Sequence, residues 1–321
     1  VTMHKLSITV IICAYTEKRW DDLLAALESM RAQTHLPDEV MVVIDHNPTL
    51  YERLQTAQPS LTVLQNQQAQ GLSGARNTGI AHATSDIIAF MDEDAMAAPD
   101  WLEILLPAYQ DPTVMGVGGQ IIPLWQTTKP TWFPAEFNWV VGCTYLGMPE
   151  THAPVRNLIG CNMSFRRDVF SSIGVFRLDV GRIGTLPVGC EETELCIRLH
   201  QRLADAVLMY DPQAKVHHRV PQARANWRYF FSRCYSEGIS KAQISQTIGA
   251  SDALSTERGY TLHTLPAGVI RGLIDALRLD FSGLGRATAI VIGFGLTAWG
   301  YLTGRIRPRT QPMTRSAPDA K

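Results

Sequence analysis

Apolar runs and helical stripes alternate over the first 120 residues. Ser7 to Ala14 (SITVIICA) is a short β-branched run with no polar face, which predicts a strand covered on both sides. Trp20 to Ala32 repeats apolar residues at helical spacing, with Trp20, Leu23, Leu24, Leu27 and Met30 on one stripe. Glu39 to Asp45 (EVMVVID) reads as a second buried strand, followed by a polar helix around Thr49 to Ala57 and a strand at Leu61 to Leu64. A glycine-led helix follows in QGLSGARNTGIAHA, and Ser85 to Met91 is a fourth strand that stops abruptly at Asp92-Glu93-Asp94. This alternation predicts an α/β chain, a Rossmann-like and mostly parallel sheet flanked by helices. Ligands of such sheets sit beyond the carboxyl ends of the strands. Three polar clusters fall there: Tyr15/Glu17, Asp45 to Asn47, and Asp92 to Asp94.

The pattern changes from Val114. Short strands and Gly/Pro/Trp-rich loops run to about Phe165, then a helix near Arg167 to Ser172, a glycine-rich loop and a helix from Glu191 to Arg202. Strands are expected near Ala206 to Tyr210 and Ala214 to His217, and the chain past about Pro221 reads as helical. The expected division is an α/β domain over 1–220, a helical extension over 221–306 and a disordered basic tail over 307–321.

Composition narrows the partners. Apolar residues make up 45%, charged residues 18% and the net charge is −1, so nothing points to nucleic acid. Six cysteines lie scattered without a CxxC pair, which predicts reduced, mostly buried thiols and no zinc site. The opening residues run straight into a core strand, so no secretory leader is expected.

Asp92-Glu93-Asp94 is the most informative cluster. Two carboxylates one residue apart at a strand end can aim at one divalent cation, and oxygen ligands suit Mg²⁺ or Mn²⁺. The competing explanation is electrostatic, since acids favour the amino end of the helix expected over Asp100 to Ala108. The company of other polar strand ends favours the metal.

With these residues in view, the chain resembles the family 2 glycosyltransferases, which have a GT-A fold. The resemblance covers roughly Ser7 to Val220. It rests on Ala14-Tyr15-Thr16-Glu17, the strand ending in Asp45, Gly71-Leu72-Ser73-Gly74-Ala75-Arg76-Asn77, Asp92-Glu93-Asp94 and Glu191-Glu192-Thr193-Glu194-Leu195, in that order. It implies that Ala14, Tyr15 and Glu17 border a nucleotide base and that Asp45 bonds the base, commonly uracil. Ser73 and Arg76 would approach the ribose and diphosphate, Asp92 the ribose, and Asp94 the metal, Mn²⁺ or Mg²⁺. His218 stands where related enzymes add a metal contact, with His217 as the alternative, since strand alternation lets only one of them face the site.

The implied reaction is inverting transfer of a sugar from a nucleoside-diphosphate sugar, UDP-linked in this reading, to a hydroxyl on a lipid-linked or glycan acceptor. The family's catalytic acid pair maps to Glu191-Glu192, with Glu192 as general base and Glu191 as fallback. Glu replaces the family's more common Asp at 192, which sets the carboxylate one methylene further out. A carboxylate at a helix amino end is expected to stay ionised through the helix dipole. The loop Val180 to Pro187 reads either as a lid over substrate or as a connector. Trp125, Trp132 and Trp139 lie on the expected acceptor side, as sugar platforms or as packing.

Two other functions remain open in the residues. A sugar nucleotidyltransferase would carry a glycine-rich phosphate loop after the first strand, where this chain has Ala14-Tyr15-Thr16-Glu17-Lys18-Arg19. A non-catalytic sugar binder would be expected to lose one of the two acid pairs, and both are present.

Beyond Pro221, Arg224 to Ser245 forms an aromatic helix and Pro266 to Asp280 an amphipathic one. Ala287 to Gly304 carries no charge and as a helix reaches about 27 Å, barely a bilayer core. Arg305, Arg307, Arg309 and Arg315 follow it, and the positive-inside rule keeps them cytoplasmic. The donor site must face the cytoplasm too, where nucleotide sugars are made. The segment therefore reads as a span, a helix on the cytoplasmic membrane surface, or a helix packed on soluble protein.

Overall fold

The computed structural model describes residues 6–179, 189–249 and 259–306. The expected lid segment and the expected disordered tail lie outside the described residues.

Four strands alternate with three helices: β1 (Ile8–Ala14), α1 (Trp20–Arg31), β2 (Glu39–Ile44), α2 (Pro48–Ala57), β3 (Thr62–Gln65), α3 (Leu72–His82) and β4 (Ile87–Asp92). The strands are parallel in the order β3-β2-β1-β4. Alternation along β1 sends Ile8, Val10 and Ile12 to one face, with Leu23, Leu27, Leu50 and Leu54 of α1 and α2. Ile11 goes to the other, with Ala75 and Ile80 of α3. Both faces are dry, which explains the unbroken apolar run.

Past β4 the sheet also takes in antiparallel strands, while most of its paired positions stay parallel, as expected. β5 (Ala95–Ala97) and α4 (Trp101–Leu105) precede β6 (Val114–Trp125), β7 (Ala153–Pro154), β8 (Met163–Arg166), α5 (Arg167–Ile173), α6 (Glu191–Arg202) and β9 (Val207–Val220). β8 runs antiparallel to β4 and to β6, β9 lies parallel to β6, and β5 and β7 pair antiparallel with β9. The two short strands expected around Asp211 are one strand, β9, with a register irregularity opposite Gly119 and Ile121. Pro212, which has no N–H for a ladder, falls in that irregular stretch.

Among the described residues, three α-helices follow: α7 (Trp227–Ile248), α8 (Leu265–Leu277) and α9 (Ser282–Ile306). α9 lies along α7 at backbone contact: a Cβ on Gly238 would strike the carbonyl of Thr297, and one on Gly300 would strike that of Tyr235. α8 is tied to the sheet domain through Arg271 Nη2, 2.7 Å from Glu136 Oε1.

Candidate active site

The strand order reverses between β1 and β4, since the chain leaves β1 on one side and returns on the other. A cleft of about 210 Å³ opens beyond their carboxyl ends, as the topology requires. Ala14, Tyr15, Asp45, Arg76, Asp92, Asp94, Glu191, Glu192 and His218 all line it. Glu17 and Ser73 do not. Glu17 is exposed in a short turn after β1, and Ser73 is buried in the first turn of α3.

Register explains the central pair. β5 pairs with β9 so that Ala95 stands opposite His218, and Arg219 N donates to Asp94 O at 2.9 Å. Asp94 Oδ1 then lies 3.3 Å from His218 Nε2, and Oδ2 lies 3.1 Å from Arg19 Nη1. The acids do not cap α4, because β5 intervenes and Asp100 is the N-cap. Burial works against charge on Asp94, but His218, Arg19 and Arg224 hold its carboxyl well below the usual range. Burial likewise opposes the imidazolium, and Asp94 outweighs it and raises His218. His217 is less buried than its neighbour and is not among the lining residues. Ligand atoms of Asp92, Asp94 and His218 all lie within 4.8 Å of one another, a set able to hold a metal ion.

Asp45 is nearly saturated by its surroundings. Its Oδ1 accepts from Asn66 Nδ2 at 2.7 Å and lies 2.9 Å from His46 Nδ1, and its Oδ2 accepts from Gly71 N at 2.9 Å. Gly71 has φ 131°, a conformation open to glycine, so the carboxylate fixes the turn that begins α3. A carboxylate offers about four acceptor positions, which leaves room for one further donor.

Arg76 is buried, its guanidinium beside the rings of Phe90 and Phe176, with Nη2 donating to Gly160 O at 3.2 Å and Nη1 to Glu191 Oε1 at 3.0 Å. Glu192 is the neighbouring acid at the tip of α6. Burial, and then the charge of Glu191, push its pKa well above the ordinary glutamate range, while Arg76 opposes them. This reverses the expectation drawn from the helix dipole.

Sequence reasoning missed Arg19, Arg224 and Arg233, which line the cleft, and gave no role of its own to Glu93, which lines it too. Glu93 links the ends of β1 and β4, accepting from Tyr15 N at 3.2 Å and from Arg19 Nη1 at 3.0 Å. Burial raises it to about 8, against the pull of Arg19. The nearest sequence signal was Arg19 itself, one turn past the first polar strand end. Of the tryptophans, Trp125 packs on Phe133 and Trp132 stacks on Trp227 with ring centroids 3.8 Å apart. Trp139 lines a second cavity described below.

The family model for glycosyl transferase family 2 matches residues 9–174. The chain is 35% identical over 240 residues to the glucosyl-dolichyl phosphate glucuronosyltransferase of Haloferax volcanii, which covers 74% of this chain and 76% of that protein. It is 26% identical over 245 residues to the succinoglycan biosynthesis protein ExoM of Rhizobium meliloti, 74% of this chain and 75% of that one. Among solved structures, the mannosyltransferase PcManGT from Pyrobaculum calidifontis, in complex with GDP-Man and Mn²⁺, superposes with a TM-score of 0.58 at 19% identity. That superposition covers 94% of this chain and 88% of the other, and places the fold among the GT-A glycosyltransferases. The extent of the family match and the similarity to the Haloferax enzyme agree on one assignment: this chain is a glycosyltransferase and belongs to glycosyl transferase family 2.

Proposed function

We propose that the cleft transfers a sugar from a UDP-linked donor to a hydroxyl on a lipid-linked or glycan acceptor, with inversion, in cell-envelope or polysaccharide assembly. One observation carries this reading. Asp92, Asp94 and His218 gather at the switch point of the sheet, and Glu192 lines the same cleft from α6. The names of the Haloferax and Rhizobium relatives support the acceptor class.

The donor set fits a divalent cation, since two carboxylates and an imidazole suit Mn²⁺ and accept Mg²⁺ less readily. Such an ion, when bound, supplies positive charge to offset the nucleoside diphosphate as it leaves. The protein's part is positional. Ala14, Tyr15 and Asp45 border the base, and Arg19, Arg224 and Arg233 add cationic groups to the wall. Glu192 takes the acceptor proton while the hydroxyl oxygen bonds to the anomeric carbon and the bond from that carbon to the diphosphate breaks. Glu191 serves instead to hold Arg76.

The hairpin of α8 and α9 supports attachment to the cytoplasmic face of a membrane. α9 is the one described helix long and apolar enough to cross a bilayer. Gly293, Gly300 and Gly304 face α7, while Val291, Phe294, Trp299 and Ile306 face outward, beside exposed Leu273 and Leu277 of α8. A helix buried in a soluble core would show the opposite arrangement.

Incubation with UDP-glucose, UDP-glucuronate or GDP-mannose, with Mn²⁺ and lipid or glycan acceptor fractions, tests the function. A glycosylated acceptor and free UDP are expected. Transfer from GDP-mannose alone would overturn the uridine assignment, and consumption of a nucleoside triphosphate would overturn the transfer reading.

A further inference from the structure

A second cavity, of about 470 Å³, lies between the sheet domain and α7, α8 and α9. It shares Gly142, Ile159, Cys190, Glu192 and Arg233 with the donor cleft, so the two spaces meet at the proposed base. Its size suits a bound organic group.

The walls differ in chemistry from one side to the other. Arg233, Glu237 and Lys241 succeed one another at four-residue spacing on α7, and all three line the cavity. One such step is about 6 Å along a helix. Glu237 sits between the two cations, with Oε2 3.8 Å from Arg233 Nη2 and Oε1 3.8 Å from Lys241 Nζ. Arg156 adds a third cation from the loop before β8. At the other side stand Leu265 of α8 and Phe294, Ala298 and Leu302 of α9. Phe294 and Leu302 are half exposed, 48% and 54%, and so also belong to the outer apolar face of the hairpin. The cavity therefore combines a carboxylate where it meets the first cleft, a cationic strip along α7 and, beside that strip, an apolar wall continuous with the outside.

We propose that this cavity is the acceptor site, and that it takes a sugar joined through phosphate to a long hydrocarbon chain. The inference rests on the transferase function proposed above and names its acceptor. The sugar hydroxyl lies at Glu192, with Glu237 available to accept from the other hydroxyls. The phosphate lies among Arg156, Arg233 and Lys241, where charge-assisted hydrogen bonds are strongest. The hydrocarbon leaves between Phe294 and Leu302 onto the face of α8 and α9, and from there enters the bilayer directly. A soluble polysaccharide would have no use for that apolar exit.

The test is calorimetric titration of the full chain in detergent with farnesyl phosphate, farnesol and inorganic phosphate as separate probes. Farnesyl phosphate is expected to bind at least about tenfold more tightly than either of the others. Lys241→Gln should remove about tenfold of that affinity and Lys241→Arg should retain it. Equal binding of farnesol and farnesyl phosphate would overturn the proposal, as would displacement of farnesyl phosphate by UDP. Tight binding of inorganic phosphate alone would assign the strip to a free anion and overturn it too. UDP titrated into the same preparation, with Mn²⁺, separates the two levels. If UDP binds and farnesyl phosphate does not, only the acceptor proposal fails; if UDP does not bind, the donor reading beneath it fails.

Discussion

Arg76 Nη1 lies 3.0 Å from Glu191 Oε1, joining two residues 115 positions apart and locking α3 to the tip of α6. Arg76 also approaches Asp92 Oδ1 at 3.6 Å, so one buried guanidinium touches both acid pairs of the cleft. The end of β4 and the tip of α6 are thereby held as one unit. Glu191 is engaged in this contact, which is why Glu192 and not Glu191 is the proposed base.

Removing one partner of a buried ion pair strands the other. Glu191→Gln is expected to cost about 3 kcal/mol of stability, and the double variant Arg76→Met with Glu191→Met less than that. Urea unfolding followed by fluorescence measures both. A double variant less stable than Glu191→Gln would show that the pair contributes more than mutual neutralisation.

Glu192→Gln removes the proposed base and keeps the shape. Transfer should fall about 10²- to 10⁴-fold in kcat while UDP affinity changes little. Steady-state kinetics beside UDP titration reads the two quantities separately. Retained transfer would move the base to another group.

The pH dependence follows from the causes acting on Glu192. Its pKa is raised by burial and by Glu191, and a base works only when deprotonated, so kcat should rise with pH through a value above the ordinary glutamate range. Glu191→Gln takes away the like charge, so the rising limb should shift to lower pH. A pH-rate profile of both proteins checks the sign, and a limb that stays put or moves to higher pH contradicts it.

Much of this is legible in the sequence alone. Apolar runs that end in acids mark strand ends, and topology alone brings Asp45, Asp92 and Asp94 to one edge. Arg19 escaped because its value depends on β1 lying beside β4, a long-range fact that local pattern does not carry. The state of Glu192 was misjudged for a related reason. The helix dipole is local and visible in sequence, whereas burial at the junction of α6 with α7 is not. Pro212 made one strand look like two. The second cavity takes its walls from residues between Phe137 and Leu302, so no motif announces it.

The outward apolar face of the hairpin predicts membrane binding. Leu277 is 84% exposed and Trp299 61%. The chain is expected to float with liposomes containing anionic lipid, and Leu277→Glu or Trp299→Glu should weaken binding about tenfold. Vesicle flotation reads this directly. Wild-type protein that stays in the soluble fraction at physiological salt would contradict it.

Manganese uptake in the presence of UDP, followed through the loss of the free-ion paramagnetic signal, tests the donor site most directly. The wild-type chain should take up one ion, and Asp94→Ala should weaken uptake by about tenfold or more. Equal uptake by the two proteins, or undiminished sugar transfer by Asp94→Ala in chelator-treated buffer, would contradict a metal held through Asp94 and His218.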